Sequence, residues 1–307
     1  KLEEIKAVAD RVIVIRAGKS VGYFKVANVS DEKLAELMVG RHVEMTLHKQ
    51  PIQLGPEILQ VKDLKVKENR GNLAVKGLSF DIHGGEIVGI AGIDGNGQDE
   101  LVEALTGLRH VESGQVKIKS KDMTNRSPRT ITQFGVSSIP ADRQKYGLIL
   151  QLPIAENLVL KNYYHSPFSK HGIINFDKIH QHAKKLIKQF DIRTTNENLA
   201  AGELSGGNQQ KVIIARELNL NSDLIIAFQP TRGLDVGAIE YIHKQLLHER
   251  DNGKAILLVS YELDEIMQLS DRILVLHDGQ LAGKVKPETT NETELGLLMT
   301  GVKKERA

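Results

Sequence analysis

The 307-residue chain has no cysteine and no tryptophan, and aromatic residues make up only 4% of it. Without cysteine there is no disulfide framework, no thiolate zinc site and no thiol redox chemistry. Charge of one sign is also missing: 41 Lys and Arg stand against 39 Asp and Glu, a net +2. That balance lacks the basic footprint of a nucleic-acid binder, so no nucleic-acid partner is expected. No apolar run reaches the ~18 residues a spanning helix needs, so membrane association has to come through a partner. The length allows one large domain or two smaller ones.

Glycine is plentiful, with 27 residues, and one group of them has a pattern. Glu86-Ile87-Val88-Gly89-Ile90-Ala91 reads as a short buried strand. It runs into Gly92-Ile93-Asp94-Gly95-Asn96-Gly97-Gln98-Asp99, and an amphipathic helix follows from Glu100 to Leu105. Strand, glycine-rich loop and helix form the setting of a phosphate-binding P-loop. Such a loop uses a lysine on the β/γ-phosphates and a Ser or Thr hydroxyl on Mg²⁺. Here those positions hold Gln98, which brings no charge, and Asp99, which repels a triphosphate. The expectation is a loop that still cradles an anion with its backbone but binds ATP weakly.

A second pattern is Leu204-Ser205-Gly206-Gly207-Asn208-Gln209-Gln210-Lys211. A serine and two glycines at a helix start offer a hydroxyl and open backbone N–H groups to an anion. The run resembles the signature motif of ABC-transporter ATP-binding subunits, and the resemblance covers essentially the whole chain. In that family Ser205, Gly206, Gly207 and Gln209 would meet ATP held by the opposite nucleotide-binding domain, with Asp235 in the D-loop at the same interface. Asp223-Leu224-Ile225-Ile226-Ala227-Phe228-Gln229-Pro230-Thr231 resembles the Walker B strand. Phe228 replaces the Mg²⁺-binding Asp and Gln229 the catalytic Glu; neither performs those tasks. Tyr261 replaces the switch histidine, and Ala141 stands at the Q-loop position. Taken with Gln98 and Asp99, the resemblance implies a half-site that keeps what it lends and has lost what it owns. No catalytic residue and no metal ligand are expected here; ATP would be shared in trans, with Mg²⁺ at the partner site.

The chain also repeats itself. Leu2-Glu3-Glu4-Ile5 recurs as Leu263-Asp264-Glu265-Ile266, Ala9-Asp10-Arg11 as Ser270-Asp271-Arg272, and Leu37-Met38-Val39-Gly40 as Leu298-Met299-Thr300-Gly301. All share one offset without a gap. Residues 1–44 are therefore expected to be the C-terminal tail of a first nucleotide-binding domain. Residues 45–56, with two prolines and no periodicity, read as a linker, and 57–307 as a second domain. The motifs resemble most the second, degenerate half of tandem ATP-binding subunits of sugar and nucleoside importers, leaning toward the nucleoside branch. That implies four partners or settings: the first nucleotide-binding domain of the same polypeptide, membrane permease subunits, indirectly an extracytoplasmic solute-binding protein, and a peripheral place on the cytoplasmic membrane face. A self-sufficient ATPase and a soluble ABC protein without a membrane partner are the alternatives.

The expected fold is α/β: a P-loop NTPase-like (RecA-like) core of ABC ATPase type, with an antiparallel β subdomain and an inserted α-helical subdomain. Residues 58–82 read as antiparallel strands. Strands at 224–228, 255–260 and 272–277 alternate with helices and so argue a parallel sheet. Helical spacing is read from about residue 154 to 193, inside a subdomain at about 140–203. His180 and His182, two apart on a helix, face different sides and read as solvated surface. Tyr163-Tyr164-His165 reads as packing within that subdomain.

Overall fold

The computed structural model describes residues 2–301 apart from 17, 45, 46 and 48. The linker assignment therefore falls partly on Met45, Thr46 and His48, outside the described residues.

The chain opens with helix α1 (Leu2–Val8), an antiparallel hairpin of β1 (Arg11–Arg16) and β2 (Lys19–Lys25), and helix α2 (Asp31–Val39). Ser30 caps α2 by accepting from the Lys33 amide, and Gly40 ends it in the left-handed region. An irregular stretch then leads to β3 (Glu57–Lys67) and β4 (Leu73–His83), joined through a tight turn around Gly71. Their alternating burial fits a sheet with one face on the core.

The strand β5 (Ile87–Ala91) is buried at every position, and after the glycine loop helix α3 (Gln98–Leu105) begins. Next come β6 (Val111–Ile118), β7 (Lys121–Asp122), α4 (Pro128–Gln133) and β8 (Val136–Ile139). Strands β4, β3, β6 and β7 form the antiparallel layer. Short elements follow: α5 (Ile154–Asn157), a hairpin of β9 (Ser169–Lys170) and β10 (Ile173–Ile174), then α6 (Phe176–Gln189) and α7 (Gly206–Asn219). The helical spacing read across 154–193 is thus corrected. Only α5 and α6 are helical there, because Pro167 and the positive-φ pair His171 and Gly172 break the chain into turns and a hairpin. Leu158, Val159 and Phe168 are buried without being helical.

The core resumes with β11 (Leu224–Phe228), α8 (Val236–Asp251), β12 (Ala255–Val259), α9 (Leu263–Leu269), β13 (Arg272–His277), β14 (Gln280–Val285) and α10 (Glu292–Met299). The six-stranded sheet runs β14-β13-β5-β12-β11-β8, parallel except for β14 at the edge. Strands β5, β11 and β12 read IVGIA, LIIAF and AILLV and are buried throughout, the composition of a sheet covered on both faces. Each buried Ile or Leu contributes roughly 1.5–3 kcal/mol. With the strands parallel, the loops after β5, β11 and β12 collect at one end of the sheet, where open α/β sheets place their ligands.

The sequence repeat is also a structural repeat. Helices α1 and α9, strands β1 and β13, and the 3₁₀ turns Val26–Asn28 and Pro287–Thr289 coincide at an offset of 261. The same offset relates two bulges, between Val14 and Ile15 and between Val275 and Leu276. The difference lies in what surrounds them. Strand β13 pairs with both β14 and β5, whereas β1 pairs with β2 alone among the described residues. Ile13 is accordingly 56% exposed where its counterpart Leu274 is 1%.

Candidate functional site

The glycine loop leaves β5 and closes on α3 through Gly97, whose φ of +96° caps the helix in the left-handed region. A Cβ there would lie 2.5 Å from the Ala74 carbonyl, so conformation and space both require glycine. Asn96 is held from two sides: its side chain donates to the Ile93 carbonyl and accepts from the Asp278 amide at 2.7 Å. Gln98 is buried, and its amide turns back into the loop, donating to the Ile93 carbonyl at 3.1 Å and lying against Gly92. A lysine at this position would present a cation; Gln98 occupies that space and presents none.

Tyr261, just past β12, reaches the same loop. Its hydroxyl is 3.0 Å from Asp94 Oδ1 and 3.2 Å from Asp99 Oδ2. Phe228 meets the Tyr261 ring edge-on, with centroids 6.2 Å apart. Partial burial raises Asp99 above the usual aspartate range, opposed by the Tyr261 hydrogen bond and reinforced by Asp94 and Glu103. Burial, then the two aspartates, push the Tyr261 phenol far up, so it stays protonated. Gln229 sits at the end of β11 with φ +50°, its backbone amide bonded to the Val259 carbonyl at 2.8 Å and its side chain buried. Asp94, Gly95, Asn96, Gly97, Gln98, Asp99, Phe228, Gln229 and Tyr261 thus assemble at one end of the sheet. They offer two carboxylates, three side-chain amides, a phenol and a phenyl ring. No cation faces the loop from these positions and no oxygen ligand replaces an aspartate at Phe228, so the group does not fit Mg²⁺-bound triphosphate.

The signature residues lie elsewhere, at the start of α7. Ser205 occupies the cap position but makes no side-chain cap bond; its hydroxyl accepts from Asn208 Nδ2 at 3.0 Å. The first-turn amides of this 14-residue helix are therefore not consumed by their own cap. Gly207 passes close to α8, where a Cβ would lie 3.3 Å from Ala238 Cβ, and Asp235 caps α8 through the Ala238 amide at 2.9 Å. Gly206 lies against the Arg143 guanidinium, which donates to the Arg232 carbonyl.

One expected residue departs from the pattern. Gln209 is buried, donating to the Ala201 carbonyl at 3.2 Å and accepting from Gln144. It braces the helix start from within; the residue beside Ser205 and Gly207 in the cleft is Asn208.

That cleft, of about 560 Å³, lies between the opening hairpin and the α7–α8 corner. Ser205, Gly207, Asn208 and Asp235 line it from one side, Ile15 and Arg16 from the other. Arg41, Arg193 and Lys211 also reach it. Lys211 is bonded to Asp191 at 2.8 Å, and this bond first, then the Lys211 and Arg193 charges, holds Asp191 below the usual carboxylate range. Arg41 ties the opening segment to α8 through Glu240 at 2.7 Å. A helix start with open amides amid four cationic side chains fits a phosphate-bearing anion. No sequence motif marked Arg16 or Arg193; the one available signal for Arg16 is its repeat partner His277.

His180 and His182, expected on the surface, are both half-buried, and His182 packs on Phe168 with centroids 4.9 Å apart. Tyr163 and His165, expected to pack within the subdomain, are instead exposed; half-buried Tyr164 packs against them and against the Arg129 guanidinium of α4, outside that subdomain.

Residues 75–232 match the sequence pattern of the ABC transporter family. The chain belongs to the ABC transporter family. Among curated relatives, this ABC chain is 56% identical to the nucleoside import ATP-binding protein NupA of Lactococcus lactis subsp. cremoris, over 98% of its own length and 60% of that protein. It is 50% identical to the guanosine import ATP-binding protein NupO of Bacillus subtilis, over 96% and 58%. The glucose import ATP-binding protein TsgD13 of Haloferax volcanii is 42% identical over 98% and 55%. The chain therefore spans little more than half the length of these relatives. Among solved structures, a nucleotide-free ATP-binding cassette from an ABC transporter superposes with a TM-score of 0.66 at 24% identity, over 80% of this chain and 96% of that one. The mixed α/β architecture is that of ABC ATPase cassettes, as its sequence motifs implied.

Proposed function

We propose that this ABC chain belongs to the ATP-binding subunit of an importer, and that residues 57–307 form a nucleotide-binding domain lending its signature motif to an ATP site owned by a preceding copy. Within that domain, residues at about 140–203 are the inserted subdomain. The cleft between Ile15–Arg16 and Ser205–Asn208 carries the reading. In the complete copy, Leu276 and the turn after His277 lie directly against the glycine loop: a Cβ on Gly92 would stand 3.1 Å from the Leu276 carbonyl, and Asp278 bonds Asn96. Ile15 and Arg16 are the repeat partners of Leu276 and His277. A glycine loop belonging to the first copy would by this symmetry stand beside Ile15 and Arg16, facing Ser205, Gly207 and Asn208 across the cleft. Residues 1–44 then end that first domain, and 45–56 link it to the second.

In this arrangement ATP and its Mg²⁺ are held by the first copy. Ser205, Asn208 and the α7 amides meet the terminal phosphate, and Asp235 fixes the α8 start at the same boundary. Permease subunits, an extracytoplasmic binding protein and a peripheral position on the cytoplasmic membrane face follow from the importer reading. Two relatives above, at 56% and 50% identity, are named for nucleoside and guanosine import. These favour a nucleoside over a sugar such as the glucose of the 42% identical relative.

The test compares two variants in the full-length subunit assembled with its permease. Gly207→Asp places a carboxylate against the phosphate and should lower ATPase activity on the order of 10²-fold or more. Gln98→Lys alters only the second copy's own loop and should leave the rate near wild type. Wild-type ATPase activity in Gly207→Asp would show that the motif is not lent across the pair.

A further inference from the structure

The glycine loop carries a closed contact that neither its composition nor its family accounts for. Asp94 lies in the loop, Asp99 in the first turn of α3 and Tyr261 past β12, yet one phenol oxygen touches both carboxyl groups. A phenol donates one hydrogen bond. Tyr261 therefore donates that one proton to either carboxylate in turn, and the phenol oxygen stands between Asp94 and Asp99. Phe228, edge-on to the ring, lets Tyr261 stand over the loop, and Gln98 fills the space beneath.

We propose that Tyr261 is a positioning residue: it ties the glycine loop and the start of α3 to the end of β12 and holds this half-site closed without nucleotide. A phosphate gripped by such a loop would bridge the same two parts of the sheet end. Here a hydrogen-bonded side chain bridges them instead, permanently and with no cation. The site then serves as a fixed abutment while opening and closing occur at the other site. This inference rests on the reading that the chain's own loop does not turn over ATP.

Hydrogen exchange on the chain, with and without Mg-ATP, tests it. In the wild type, amides 93–99 should exchange slowly without nucleotide and should not slow further when Mg-ATP is added. Tyr261→Phe removes only the hydroxyl and keeps the ring against Phe228. It should speed exchange at 93–99 by roughly five- to tenfold, the worth of one net hydrogen bond, while the melting temperature falls by no more than about 4 °C. Asp99→Asn, which keeps a neutral donor and acceptor, should retain the protection; Asp99→Ala should lose it as Tyr261→Phe does. Unchanged exchange in Tyr261→Phe, or Mg-ATP protection of the wild-type loop, would overturn the proposal. Neither result touches the signature-motif reading, which stands or falls on Gly207→Asp in the assembled transporter.

Discussion

Asp99 holds its proton to higher pH than a free aspartate does, because partial burial and the neighbouring Asp94 and Glu103 charges disfavour the anion more than the Tyr261 bond favours it. The sign of its contribution follows. Between the ordinary aspartate value and the raised one, the folded chain binds more protons than the unfolded chain, so stability falls as pH rises through that window. Asp99→Asn removes this term. Urea unfolding of the two proteins across about pH 4 to 7 should show the asparagine variant gaining on wild type as pH rises; a constant difference would mean that Asp99 does not titrate differently on folding. At this scale much was legible in the sequence. Positions 98, 99, 228, 229 and 261 stood out through the family resemblance, which implies a cation, a hydroxyl, a metal ligand, a base and a histidine where this chain has Gln, Asp, Phe, Gln and Tyr. Contact between them was not legible, since Tyr261 lies 162 residues from Asp99 and 167 from Asp94. Gln209 misled for a related reason: its place in the motif is fixed by spacing, but its side-chain direction is set by the Ala201 carbonyl inside the subdomain.

Among the elements, α8 and α7 depend on specific partners rather than on periodicity alone. Asp235 caps α8, and Asp235→Ala should cost about 1 kcal/mol in a urea titration with unchanged slope. Glu217 on α7 is fully buried. Burial raises its pKa, but Lys161 and Arg216 outweigh that and bring it below the usual range. Lys161→Met leaves Arg216 as its cationic partner and should destabilise by about 3 kcal/mol, the lower end for breaking a buried pair. A loss well under 1 kcal/mol would show that Arg216 compensates Glu217 alone. Strands β5, β11 and β12 were readable as short apolar runs, and α7 from the motif that opens it. The stretch after α5 was not. Leu158, Val159 and Phe168 are buried by neighbouring elements, so apolar residues appear there without helical geometry. The local signals at Pro167 and Gly172 decided the structure instead.

For the whole molecule, the decisive feature is that the opening segment repeats, element for element, the segment 261 residues later. The offset of 261 was visible in the letters and recurs in helices, strands, a 3₁₀ turn and a bulge. What no sequence pattern shows is that the opening hairpin lies beside the signature motif, bordering a cleft with Arg16 and Ser205 on its walls. That placement comes from long-range contacts such as Arg41 with Glu240. On the proposed reading the two sites differ: the cleft, with its four cationic side chains, would meet a phosphate held by another domain, whereas the chain's own loop is bridged by two carboxylates and a phenol. Steady-state phosphate release by the chain alone at saturating Mg-ATP measures that asymmetry most directly. The account predicts a rate indistinguishable from the protein-free blank; turnover approaching ~1 s⁻¹, the low end of ordinary enzymes, would contradict it.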